Sequence, residues 1–289
     1  MSVRYENFMK SPPIKFLVGD EEAETEVFYV HANLMVEQSE TFQAMIEGSM
    51  KEAKEQCVTI EDVTSATFLC FAEFVYTGDY TAVEPIIEKI YQSEEKDDKD
   101  KDNDSYDEDT VDRRYNGKSW RKVGVPAQWN QQRRVEHAQL NGSYSQSGTA
   151  LLNKFRESAP TFKTTLAWQP RTNTGPDENY VPVFLGHARL YVFGDKYGMT
   201  LLQELALKKL HLTLARFCLY EARVGDIIEL ITFTYDNTAD VQGSQDPLRA
   251  LVAKYAACHF PDLLRNKIFK KASTDDGSIA TDILQQIAD

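Results

Sequence analysis

Residues 64–80 read TSATFLCFAEFVYTGDY, the most densely patterned segment of the chain. Thr64 or Ser65 offers a side-chain oxygen that can cap a helix N-terminus. Phe68, Phe71, Ala72 and Val75 then recur at i, i+3, i+4 and i+7, the stripe of a helix with one buried face. At that spacing Phe68, Phe71 and Phe74 read as core rather than as a cofactor box. Gly78 follows the last periodic residue, where a helix ends by turning into positive φ. Tyr76-Thr77-Gly78-Asp79-Tyr80 is therefore the turn that closes a buried helix.

Upstream of this helix the period changes. In residues 14–18 Ile14, Phe16 and Val18 alternate with Lys15 and Leu17, which is strand spacing. An acidic turn leads to a second strand over Glu26–His31, with Val27 and Tyr29 on one face and Phe28 and Val30 on the other. The pair reads as a hairpin. A short helix is expected over Ala32–Glu37. Ser39 is a good N-cap for the next one, which carries Phe42, Met45 and Ile46 and stops at Gly48. Residues 57–60 form a short strand. Downstream of the turn, a helix is expected to start near Pro85 with Ile86, Ile87 and Ile90.

Beyond residue 91 the composition breaks. Residues 93–109 hold ten acids and three lysines, a charge of −7 out of −13 for the whole chain. Such a run cannot bury enough apolar area to offset its ordering entropy. Arg113, Arg114, Lys118, Arg121, Lys122, Arg133 and Arg134 follow. Residues 92–182 are read as a charged, mostly disordered insertion, with short helices near Gln128–Leu140 and Ala150–Glu157. Deletion of residues 95–178 is accordingly expected to leave thermal stability nearly unchanged. Helical spacing returns at His187–Tyr197. Thr200 and Gln203 form a capping-box pattern, Asp226 is placed to cap Ile227–Thr234, and Asp246-Pro247 is an N-cap followed by an N1 proline. Ala280, Ile283, Leu284 and Ile287 stripe a last helix.

The same composition bears on function. With 32 basic against 45 acidic residues, a direct nucleic-acid binder or a protein docked on an anionic membrane is not expected. No secretory h-region opens the chain, which points to an intracellular protein, cytoplasmic or nuclear, and Arg113-Arg114 with Arg133-Arg134 offer a nuclear-import reading. Cys57, Cys70, Cys218 and Cys258 lack zinc or redox spacing and read as reduced thiols. No P-loop, G-x-G-x-x-G, G-x-S-x-G, H-E-x-x-H or EF-hand loop occurs, and the five histidines are scattered. Neither cofactor, metal nor small-molecule substrate is expected. Ser105, with Glu108 three residues on, suits an acidic-directed kinase, and a phosphate there would deepen the negative charge.

Four motifs in order resemble a BTB/POZ domain: His31-x-x-Leu34-x-x-x-Ser39-x-x-Phe42, Met50-Lys51-Glu52, Val58-x-Ile60-x-Asp62-Val63, and Phe68 through Tyr76, Gly78 and Tyr80. His187–Tyr197 is similar to the closing helices of such domains, so the domain is read as split, 14–91 with 183–210, followed by a helical extension over 211–289. The whole is similar to fungal proteins with a BTB domain and a helical extension. The resemblance implies an α+β fold, a small sheet flanked by helical hairpins, and a non-enzymatic protein-interaction module. In members that recruit a cullin-type ubiquitin-ligase scaffold, a hydrophobic-x-Glu motif stands where Met50-Lys51-Glu52 stands here. An oligomerising or transcription-associated scaffold without ligase contact stays open as the alternative. So does the partner, cullin or a second copy. Only about a dozen residues precede Ile14, short for an exchanged dimer element.

Overall fold

The alternation around Phe16 builds the central strand of a three-stranded sheet. In the computed structural model, which describes residues 10–19, 25–88, 146–158, 168–239 and 245–288, β1 (Pro13–Val18) lies between β2 (Glu26–His31) and β3 (Cys57–Ile60). It pairs antiparallel with β2, Phe16 opposite Phe28, and parallel with β3, Phe16 opposite Val58. Ile14, Phe16 and Val18 are fully buried. Tyr29 and Val27, on the other face of the edge strand, are exposed, as the period of two requires.

Between β2 and β3 run α1 (Ala32–Val36), α2 (Glu40–Glu47) and α3 (Lys51–Glu55). The Ser39 hydroxyl caps α2 by accepting the N–H groups of Thr41 and Phe42. Thr64 does the same for α4 (Ser65–Thr77), and Gly78 ends that helix at φ 79°. Helix α4 lays Phe68 against Phe16 and Phe28, with ring centroids 5.2 and 5.0 Å apart.

The helix expected from Pro85 is instead a two-residue strand, β4 (Ile86–Ile87), paired antiparallel with β5 (Glu178–Asn179). Adjacent β-branched residues favour the extended form, and the Glu88 N–H donates to the Asp177 carbonyl at 2.8 Å. Ile90 lies outside the described residues. The expected helix near Gln128–Leu140 lies outside them as well. The one expected at Ala150–Glu157 begins earlier, as α5 (Gln146–Glu157), and it is part of the packed molecule. Its Leu152 and Phe155 are buried. Asn173, Glu178 and Tyr180 are buried too, so the core takes in side chains from residues 146–180. Their polar composition concealed this, because a few apolar anchors suffice to dock a short element.

The remaining helices are α6 (Val181–Lys196), α7 (Thr200–Arg216), α8 (Val224–Asn237), α9 (Pro247–Cys258), α10 (Phe260–Leu263), α11 (Lys267–Asp275) and α12 (Gly277–Ala288). Helix α6 is the hub, packing on α4, α7 and α8. Its Gly194 must be glycine: an added Cβ would stand 2.8 Å from Gln203 Cγ and 3.1 Å from the Gln203 nitrogen. Thr200 and Gln203 do not form a capping box. The N-cap is Met199 without a side-chain bond, and the Gln203 amide instead donates to Asp195 at 2.9 Å. Asp226 is not a cap either; it lies inside the first turn of α8 and accepts the Tyr180 N–H at 2.8 Å. Asp246 does cap α9. In α12 the buried face is Ile279 and Ile283, while Leu284 and Ile287 are exposed. The Tyr235 hydroxyl donating to Asp282 at 2.8 Å fixes that rotation.

Candidate interaction surface

Helix α3 has no fully buried residue: Lys51, Lys54 and Glu55 are exposed, Glu52 and Ala53 partly so. Met50 is its N-cap residue, contributes no side-chain capping bond, and is 59% exposed. An exposed methionine is a pliable apolar knob. Glu52 lies half-buried in the first turn, where the helix dipole favours an anion. Lys51 and Glu55 form a loose exposed pair at 3.8 Å. Gln56 ends the helix at φ 49°, its amide donating to the Ala53 carbonyl at 2.7 Å. One helical turn thus holds an apolar knob beside a carboxylate. A polar cleft lies at the opposite, N-terminal end of α2, lined by Gln38, Ser39, Thr41, Gly198 and the acids Glu37 and Glu40.

The other motif residues hold the scaffold that presents this turn. The Tyr76 hydroxyl accepts the His31 backbone N–H at 3.2 Å and stands 2.7 Å from His31 Nδ1. His31 therefore stitches the β2–α1 junction to the end of α4. Leu34 is buried. Ser39 also donates its hydroxyl proton to the Tyr197 carbonyl, 158 residues away. Phe42 stacks on Phe71 at 5.8 Å and on Tyr197 at 4.7 Å. Asp62 is exposed and adopts φ 64°, a left-handed position a short polar side chain tolerates. Ser105 lies outside the described residues.

Around Tyr80 the structure assembles a polar network that no local pattern indicated. The Tyr80 hydroxyl lies 2.7 Å from His187 Nδ1. Thr213 commits its proton to the Lys209 carbonyl, so its oxygen receives His187 Nε2–H at 3.5 Å. Burial, and then the nearby Lys209, push the His187 pKa down to about 3, so the ring is neutral near pH 7. Lys209, 2% exposed, donates to the Tyr80 carbonyl, pairs with Asp79 at 2.5 Å and sits over the rings of Tyr80 and Trp168 at 4.1 and 4.9 Å. Burial lowers its pKa and Asp79 pulls it back up. The available signal was position: Lys209 falls three and four residues after Ala206 and Leu205, on the apolar stripe of α7.

A second polar cluster joins β4, β5 and the start of α8. Arg223 reaches Glu88 at 2.8 Å and Asp226 at 3.8 Å, and the Asn179 amide donates to Glu88 at 2.7 Å. Burial raises the Asp226 carboxyl to about 7, against the pull of Arg223 and the Tyr180 N–H. The four cysteines are free thiols, and burial pushes the Cys258 thiol up to about 12. Among the described residues no group of three or more His, Cys, Asp or Glu is placed to hold a metal ion, and no helix is long and apolar enough to cross a membrane.

The chain thus has a small sheet packed against helices, with Met50 and Glu52 on one turn beside it. Residues 14–103 match the model of the BTB/POZ domain family, and no curated protein matches the chain. The N-terminal part of this protein is a BTB/POZ domain, a protein–protein interaction module, continued by a helical C-terminal region.

Proposed function

We propose that the protein is an adaptor whose BTB face engages a cullin-type ubiquitin-ligase scaffold through Met50 and Glu52, while its helical extension recruits a target. The observation that carries this reading is the 59% exposure of Met50 on a helix with no fully buried residue. Burying one such side chain contributes roughly 1.5–3 kcal/mol, and a rim carboxylate adds orientation and on-rate. The domain is completed by residues 183–210, since α6 and its C-cap carry Phe193 and Tyr197 into the stack around Phe42 and Phe71. The test is binding of the purified full chain to the amino-terminal domain of the cognate cullin. Wild type should bind, and Met50→Asp and Glu52→Lys should each abolish binding without changing the melting temperature. Folded wild type that fails to bind overturns the reading. Attention then moves to a self-associating scaffold, for which Val27 and Tyr29, exposed on the outer face of edge strand β2, are the favouring observation.

A further inference from the structure

Helix α11 and the two residues before it carry the densest run of cations among the described residues, in a chain of net charge −13. Arg265, Lys267, Lys270 and Lys271 fall within seven positions. Arg265 is held by Asp262 at 3.3 Å. Lys267, Lys270 and Lys271 are exposed and have no ion-pair partner among the described residues. Two large apolar side chains accompany them: Leu264 is 42% exposed and Ile268 50%. The helix is held from beneath by Phe269, which is buried and meets Phe260 edge-on at 6.3 Å, and from its N-terminus by Asn266, whose side chain caps Ile268 and Phe269. It packs on α8 and α12, so the cationic face is presented on a fixed support.

The charge order along α11 is opposite to what helix stability prefers. Lys267 opens the helix and Lys270 and Lys271 follow, whereas Asp275 closes it and Asp276 is the C-cap. Cations are unfavourable near a helix N-terminus and anions near its C-terminus, because of the dipole of the backbone. The arrangement leaves the N-terminal half of the helix positive, with Lys267 in its first turn and Lys270 and Lys271 in the next. Electrostatics of this kind serves binding rather than folding.

We infer that the exposed face of α11, with Lys267, Lys270, Lys271, Leu264 and Ile268, is a docking surface for an acidic, apolar-punctuated segment of a partner protein. Charge complementarity selects the partner: three unpaired cations call for carboxylates, and two exposed aliphatic side chains call for an apolar contact between them. A membrane fits less well, because Phe269 faces the core, only two apolar side chains are left to insert, and the molecule as a whole repels an anionic surface. The inference stands apart from the contact proposed at Met50.

The experiment titrates full-length protein against a short synthetic peptide of Asp and Glu interspersed with Leu and Phe, at low and high salt. Lys267→Glu/Lys270→Glu/Lys271→Glu together should weaken binding roughly tenfold or more, the sum of three exposed pairs. Ile268→Asp should weaken it as well, high salt should oppose it, and Lys51→Glu/Lys54→Glu should leave it unchanged. All six positions are exposed, and an unchanged melting temperature certifies each variant as folded. Met50→Asp should bind the peptide as wild type does, which separates this surface from the ligase contact. Equal binding by the triple variant overturns the proposal, as does equal loss in the Lys51/Lys54 control. Two other occupants would also overturn it. One is the chain's own acidic run, revealed if peptide binds only after residues 94–109 are deleted. The other is a lipid surface, revealed if anionic vesicles retain wild type but not the triple variant.

Discussion

Lys209 and Asp79 form an ion pair whose two members are unequally buried, and that inequality sets what each substitution does. The lysine side chain is 2% exposed and the aspartate side chain 23%. Removing Asp79 strands a cation in the interior, whereas removing Lys209 leaves an anion that water can reach. Replacing a buried charge by an apolar side chain of similar size is often nearly neutral, while orphaning one costs about 3–5 kcal/mol. Asp79→Asn should therefore destabilise by about 3 kcal/mol, and Lys209→Met by less than about half of that. Denaturant unfolding of both variants checks the order, and a Lys209→Met loss equal to that of Asp79→Asn would refute it. The residues legible from sequence were those governed by near neighbours: Ser39, Thr64, Gly78 and Asp246 act on positions two to four away. Lys209 and His187 meet Tyr80 across 129 and 107 residues, and nothing within a helical turn of either announces that partner.

At the scale of elements, patterned segments were legible and sparsely anchored ones were not. Helices α4 and α9 showed complete apolar stripes. Helix α5 holds on mainly by Leu152 and Phe155 among polar residues, and composition hid it. The helix docks across α7 and α9. Phe155 stacks on His211 at 4.5 Å and meets Tyr255 at 5.3 Å, its carbonyl lies 2.8 Å from His211 Nε2, and Arg156 donates to the Ala215 carbonyl at 3.1 Å. An isolated helix of this length is marginal, so the groove supplies most of its helicity. Phe155→Ala should cost about 3–5 kcal/mol. Deletion of residues 95–178 should lower the melting temperature substantially, since it removes α5, Trp168 over Lys209, and Asn173, which exchanges two 2.7 Å hydrogen bonds with Cys218. A melting temperature unchanged by either alteration would show that α5 contributes nothing to the core. The candidate surface followed the same division: the Met50-Lys51-Glu52 motif could be read directly, but its exposure depended on how later helices lie.

For the whole molecule, buried groups of opposite kind divide the pH range between them. Asp226 titrates near 7 when folded against 3.8 as a free carboxyl. Its contribution is present below pH 3.8 and is lost as pH rises through 7, because the folded state then has to hold a desolvated anion. His187 and His259, both lowered to about 3, act the other way: their stability is present above pH 6.5 and is lost as pH falls toward 3. Glu229, Asp236 and Asp262 are also raised and add to the Asp226 sense at lower pH. Asp226→Asn keeps an acceptor for the Tyr180 N–H and removes one titration. Relative to that variant, wild type should lose on the order of a few kcal/mol between pH 4 and 8. Unfolding curves at several pH values test this, and a flat difference would refute it. A different consequence follows from the aromatic stack that joins Phe42 and Phe71 to Phe193 and Tyr197. During synthesis the first half of the domain leaves the ribosome more than a hundred residues before its covering helix. At roughly 5–20 residues per second, Phe42 and Phe71 wait many seconds without their partners. The newborn chain thus has a built-in interval in which it is a client for chaperones before it can bind anything of its own.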